Sequence, residues 1–355
     1  MAHEHVYGFV EKYCHENHRK IVFTIICLIL AVFVFFLTIS IGKYELSFGE
    51  SYRIFVDNLF GNGRATTENM IVWEYRVPRA LMGIFVGASL AVGGAVMQNL
   101  MMNPLAEPYT MGISSGAFLG AVLSITCGIS IIPFLGGDDA TVLNAFILSL
   151  APVFLIVAIS KFRKTTPTTM ILCGVAIMYA FSSVSTMLMV LADPEHLSDA
   201  YSWRVGVLGK ASWDSLMLVI PSMTILIAIL LLFAGKINTM SIGDKGAISL
   251  GTDPYRTRLV CLVLVALLTA FAVSFTGTIG FVGLVAPHIV RTFIGSNNTY
   301  LLPACAGFGG IFLLVMDSIA KVISETGLPV GVISAMVGGP LFIYILVQRK
   351  RRIWY

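Results

Sequence analysis

Few residues in this sequence have the type and spacing that chemistry requires. Asp317 and Lys321 lie one helical turn apart, which suits an i to i+4 ion pair near a membrane interface. His288 and Arg291 stand close together in a short apolar stretch, and nothing around them resembles a proton relay through the membrane. His3, His5, His15 and His18, with Cys14, are potential metal ligands, but so short a polar tail is more simply a solvated terminus. The six cysteines (Cys14, Cys27, Cys127, Cys173, Cys261, Cys305) are scattered singly without a C-x-x-C pair, so neither a disulfide framework nor a zinc site is expected. There is no H-E-x-x-H and no G-x-S-x-G. Gly42-Lys43, Gly209-Lys210 and Gly235-Lys236 all lack the flanks of a G-x-x-x-x-G-K-[ST] phosphate loop. The chain is therefore not expected to be an enzyme or to hold a cofactor or a metal. If it moves something uphill, the energy must come from a partner.

The elements that position these residues are apolar. Of 355 residues, 57% are hydrophobic and 12% charged, the latter about half the share of about 25% usual in soluble domains. Mean hydropathy is +0.87. These values exclude a soluble globular enzyme, a disordered chain and an ordinary nucleic-acid binder. Hydropathy places spans near 21–41, 80–98, 110–132, 140–160, 168–191, 215–234, 259–275, 279–294, 301–321 and 330–347. The first is too long for a signal-peptide core and no A-x-A site follows it, so it reads as an uncleaved span. The eighth is short and carries Pro287, His288 and Arg291.

Charge tests this topology independently. One side collects fifteen basic and six acidic residues, the other eight basic and twelve acidic, which puts the basic side and both termini in the cytoplasm. The Q-R-K-R-R run at 348–352 fits an anchor on anionic lipid. The expected fold class is thus all-α: a single polytopic membrane domain over 1–355, with ten transmembrane helices. Residues 1–20 would form a cytoplasmic tail and 236–258 a cytoplasmic loop.

Gly83, Gly87, Ala91 and Ala95 recur at intervals of four, as do Gly112, Gly116 and Gly120. Small residues on one helical stripe let backbones approach closely in lipid, either as static packing or as a smooth seam that rocks. In the loop between spans six and seven, Gly243 and Gly251 bracket a one- to two-turn helix. Asp244 is placed to cap it, and Ala247 with Leu250 gives it a small apolar face. So short a helix is not stable alone, and it should be held between the spans and another surface.

Arg76-Val-Pro-Arg79, Gly87-Ala-Ser-Leu-Ala91, Gly94, Gln98, Asn103-Pro-Leu-Ala-Glu-Pro108, Gly112 and Gly116-Ala117 resemble a conserved stretch of the FecCD-type permeases. A second block, Gly277-Thr-Ile-Gly-Phe-Val-Gly-Leu-Val-Ala-Pro-His288 with Arg291, Gly295, Pro303, Gly310, Asp317, Lys321, Leu328-Pro-Val-Gly331 and Gly339-Pro340, is similar to a later one. The segment Gly243 to Gly251 resembles the family's coupling segment. These are membrane subunits of ABC importers for iron-siderophore complexes, haem and cobalamin. The resemblance implies two permease copies, identical or related, around a shared pathway, two cytoplasmic ATP-binding subunits and an extracytoplasmic binding protein. It further implies ATPase coupling through Gly243, Asp244, Ala247, Leu250 and Gly251. Docking of acidic groups on the binding protein would fall to Arg76, Arg79 and Lys321, both arginines pointing outward across a Pro at the helix start. Packing and pathway roles fall to Gly83, Gly87, Gln98, Asn103, Pro104, Gly112, Gly116, Pro287 and His288. Three positions depart from the family pattern: Gly327 and Glu325 near L-P-V-G, Lys321 in place of Arg, and Asn297-Asn-Thr299 in place of D-H-R. An ion-coupled secondary transporter is the alternative, and its signature is uptake that survives loss of the ATPase.

Overall fold

The structure, a computed structural model, describes residues 2–162, 165–323 and 328–348. Arg163, Lys164, Glu325, Gly327 and the basic residues 349–352 lie outside the described residues, as do the side chains of residues 2–14. Every regular element among the described residues is helical. Helix α1 (Ala2–Ser40) is followed by α2 (Phe48–Leu59) and α3 (Thr67–Met70); a π-helical turn, Ile71–Arg76, carries α3 into α4 (Val77–Leu100). A 3-10 turn, Pro108–Met111, leads to α5 (Ile113–Cys127), α6 (Gly137–Phe162), α7 (Pro167–Val190) and α8 (Pro194–Arg204). Then come α9 (Trp213–Leu232), α10 (Ala234–Met240), α11 (Asp244–Ser249), α12 (Pro254–Thr276), α13 (Val282–Ile294), α14 (Asn298–Ile323) and α15 (Val330–Gln348).

Seven of these segments are long and apolar enough to cross a membrane: His15–Ser40 within α1, Thr67–Leu100, α6, α7, α9, α12 and α14. Three further apolar helices, Ile113–Cys127, Val282–Ile294 and Val330–Ile345, are shorter. They coincide with the third, eighth and tenth sequence spans. At 1.5 Å per residue, the 13 residues of α13 cover only about 20 Å of a hydrocarbon core about 30 Å thick. Non-helical links lie before both α5 and α13: 103–107, which contains a turn and leads into the 3-10 turn, and 277–280.

Three differences from the sequence reading concern the ends of spans. Helix α1 continues back to Ala2, so the expected polar tail is helical. The link after α1 contains α2, opened by a capping box in which Ser47 and Glu50 satisfy each other's backbone amides. The second span begins at Thr67 rather than at residue 80, so Pro78 lies inside a continuous helical rod and does not start it.

Helix α4 is the centre of the molecule, packed by α14, α13, α12 and α9. Its glycines explain why. A Cβ on Gly87 would run into the backbone carbonyl of Gly309 in α14, and one on Gly309 into that of Gly87. Gly94 meets the carbonyl of Gly283 in α13 in the same way. Gly116 and Gly120 of α5 face the carbonyls of Leu148 and Asn144 in α6. The two small-residue stripes therefore face protein, in two separate seams. Gly83 sits more loosely, with the Leu314 side chain 3.2 Å from its would-be Cβ. Gly112 acts through conformation: at φ +84° it begins α5 from the left-handed region.

Candidate functional site

The coupling segment is built as a small buttressed knob. Gly243 at φ +92° and Gly251 at φ +77° turn the chain at either end of α11 in conformations that favour glycine. The methyl of Ala247 is fully buried within its own chain, and its carbonyl accepts from Thr252 N at 2.9 Å. The sequence reading gave Ala247 and Leu250 one shared apolar face. The structure divides them, because Leu250 is 59% exposed, next to Ile248 at 63%, with Ile242 also exposed. Asp244 does not cap the helix. Its Oδ1 accepts instead from Nη2 of Arg258 at 2.7 Å. Thr239 donates to Thr252 at 2.9 Å, which closes the base of the knob. Beside it, Ile248, Thr252, Pro254 and Tyr255 line an open groove.

At the opposite end of α4, the three basic residues expected to face a partner have different surroundings. Arg76 is buried and turned inward: its guanidinium donates to the carbonyls of Ile39 at 3.1 Å, Ser40 at 3.0 Å and Tyr44 at 2.6 Å. It satisfies the unpaired carbonyls at the end of α1 and in the link beyond, so the outward orientation expected for it does not hold. Arg79 lies 2.8 Å from the fully buried Asp317, with its side chain 26% exposed, and Lys321 closes on the other carboxylate oxygen at 2.9 Å. The Asp317–Lys321 pair read from the sequence is present and includes a third member from α4. Arg76, Arg79 and Lys321 line one cavity of about 390 Å³ together with Lys43, Tyr44 and Tyr75.

Of the expected packing and pathway residues, Gly83 and Gly87 face α14 and Gly112 and Gly116 lie in or before α5; Gln98, Pro287 and His288 belong to the α4–α13 region, and Asn103 and Pro104 to the link after α4. Gln98 is buried; its amide nitrogen approaches the carbonyl of Gly283 at 3.5 Å, and its oxygen accepts from Arg291. Pro287 has no N–H for the Gly283 carbonyl one turn earlier, so that oxygen is free to face α4. His288 is buried, with Nδ1 2.9 Å from the Leu284 carbonyl and its ring edge-on to Phe342 of α15. Asn103 folds the link by accepting from Leu105 N at 3.0 Å, and Pro104 follows it partly exposed. Tyr109 bridges the 3-10 turn to the segment before α13 through the Ile279 carbonyl at 3.1 Å.

Among the described residues there is no group of three or more His, Cys, Asp or Glu side chains able to hold a metal. Two residues that the sequence reading gave no role are central here: Arg258 and Asn238 bind across elements near α11, and Asn238 does so through Asn298, a position noted only as part of the Asn297-Asn-Thr299 departure. The only sequence signal was an Arg four residues beyond the helix-starting Pro254, a place where a headgroup anchor is the usual reading.

An all-helical bundle with, among the described residues, seven helices long and apolar enough to cross a membrane defines a multi-pass membrane protein. The FecCD transport family matches residues 29–348, and the chain belongs to that family. It is 38% identical over 291 residues to the cobalamin import system permease protein BtuC of Halobacterium salinarum, covering 82% of this chain and 77% of that one. It is 33% identical over 339 residues to the Fe(3+)-citrate import system permease protein YfmD of Bacillus subtilis, covering 95% and 97%. A solved structure described as "an inward-facing conformation" of a "metal-chelate type ABC transporter" matches with a TM-score of 0.80 and 25% identity, over 92% of this chain and 98% of that one.

Proposed function

We propose that this chain is the permease subunit of a binding-protein-dependent ABC importer that carries a metal chelate across the membrane by alternating access. In this reading ten segments cross the membrane with both termini cytoplasmic. The seven long helices and the three short ones make up the ten. Two ATP-binding subunits dock at the knob, a second permease copy completes the pathway, and a binding protein delivers substrate at the opposite face near Arg79 and Lys321. The observation that carries the reading is the knob. It exposes Ile242, Ile248 and Leu250 together on a rigid mount in a chain that lacks a phosphate loop. Three large apolar side chains on a surface whose cytoplasmic location the charge distribution supports mark a protein contact. The relatives named for ferric citrate and cobalamin support a chelate as the substrate class.

The ion-coupled alternative is less favoured, because the buried carboxylate of α14, Asp317, is already held by two cations. The test is uptake of ferric citrate, a ferric hydroxamate, haem and cobalamin into vesicles holding the complete transporter. Uptake should require ATP inside and survive collapse of the proton and sodium gradients. Uptake that follows an ion gradient without ATP overturns the proposal.

A further inference from the structure

Two separate ties reach consecutive residues at the end of α4, one from α11 of the coupling knob and one from the preceding helix α10. The first is Arg258, in the second turn of α12, whose side chain is only 3% exposed. Its Nη2 donates to Asp244 at the start of α11 at 2.7 Å, and its Nε donates to the carbonyl of Leu100, the last residue of α4, at 3.0 Å. The Leu100 carbonyl belongs to the final turn of a helix, where no backbone amide is available in register. One planar guanidinium thus joins the first residue of the knob to the last residue of the central helix. The second tie is made of asparagines. Oδ1 of Asn238 in α10 accepts from both the backbone and the side-chain nitrogens of Asn298, at 2.7 and 2.8 Å. Oδ1 of Asn298 in turn accepts from Nδ2 of Asn99 at 3.1 Å.

The chain beyond these anchors changes direction at once. Met102 has a positive φ of 46°, and the link through Asn103 and Pro104 leads to α5. The start of α4 is held at the other end of the molecule by Arg76 and Arg79. A push on α11 therefore reaches α4 at its Leu100 end, through a buried charge that cannot leave its partners without being stranded. We propose that Arg258 is a positioning residue for transport: it carries displacement of α11 to the Leu100 end of α4 and to the 101–107 link. This rests on the reading that α11 contacts the ATP-binding subunit.

The test uses the assembled transporter in nanodiscs, with native cysteines other than Cys127 replaced. Spin labels are placed in pairs drawn from Lys245 on α11, Met102 beyond α4, and Cys127 at the far end of α5. Adding ATP and vanadate to the wild type should shift Lys245 and Met102 together relative to Cys127, with their mutual separation unchanged. In Arg258→Gln, Lys245 should still shift while Met102 lags. Stimulation of ATP hydrolysis by the binding protein should then drop by about fivefold or more. Arg258→Lys, which keeps the charge but cannot hold both oxygens in one plane, should fall between. Asp244→Ala, at a partly exposed site, removes the acceptor and gives the same lag without emptying a buried position. If Met102 follows Lys245 unchanged in both Arg258→Gln and Asp244→Ala, the strut is overturned while the coupling reading stands. If Lys245 does not shift with nucleotide in the wild type, the coupling reading falls, and the strut with it.

Discussion

The indole of Trp213 occupies the hydrogen-bonding place that Pro78 leaves empty. At the end of the π-helical turn Ile71–Arg76 the Val77 amide bonds five residues back to Val72, and in that register residue 78 would serve the carbonyl of Trp73. Proline has no N–H, and Nε1 of Trp213 donates to that oxygen at 3.0 Å while the two indole rings pack 4.7 Å apart. Trp213→Phe keeps the ring contact and strands the carbonyl, which should cost about 1–3 kcal/mol in detergent unfolding experiments. Adding Pro78→Ala returns an amide to the turn and should recover part of the loss. A double-mutant cycle with no coupling between the two positions contradicts the account.

Arg76 and Arg79 should separate in their effects. Arg76→Gln leaves two or more backbone carbonyls at the end of α1 without a donor, and the melting temperature should fall by an amount corresponding to about 1–3 kcal/mol. Arg79→Gln leaves Asp317 still paired to Lys321. Its main effect should be slower association with the binding protein, most marked at low ionic strength. Association rates measured across a salt series decide this, and an unchanged low-salt rate removes Arg79 from the docking face.

At the knob, the two kinds of apolar residue should behave differently. Ala247→Arg forces a charge into the chain's own packing, so the protein should lose stability whether or not a partner is present. Ile248→Asp with Leu250→Asp alters only exposed side chains. That variant should fold normally and bind the ATP-binding subunit more weakly by about 2 kcal/mol or more, roughly thirtyfold. Co-purification and thermal melting, read side by side, distinguish the two.

The glycine seams make a graded prediction. Gly87→Ala and Gly116→Ala place a methyl group against a backbone carbonyl and should each destabilise by about 1–3 kcal/mol. Gly83→Ala meets only the side chains of Leu314 and Leu208 and should be close to neutral. Melting temperatures of the three variants test the order, and a stable Gly87→Leu variant would contradict the packing described for α4.

The apolar runs were legible because hydropathy over a long window averages away local irregularity. The position of each charge was not. Arg76 reads as exposed from its type and its place near a span end, and only the folded chain brings the carbonyls of Ile39, Ser40 and Tyr44 around it. Asp317 and Lys321 could be paired by spacing, whereas Arg79 is 238 residues away in sequence from the carboxylate it holds. Within α11, spacing alone could not say which apolar residue turns inward, since six residues make too short a helix to define a stripe. Helix α2 escaped notice because it is amphipathic and lies between spans, where a hydropathy window sees only a dip.

The paired contact of Gly87 and Gly309 has a consequence for how this protein can change over generations. In most helix contacts a larger residue on one side is accommodated by a smaller one on the other, so the interface drifts by compensating steps. Here both partners already carry the smallest side chain there is, and each faces the other's carbonyl. No second replacement at the facing glycine can relieve a first. Either substitution has to be absorbed by moving α4 away from α14, which would also disturb the Arg79–Asp317 contact between the same two helices.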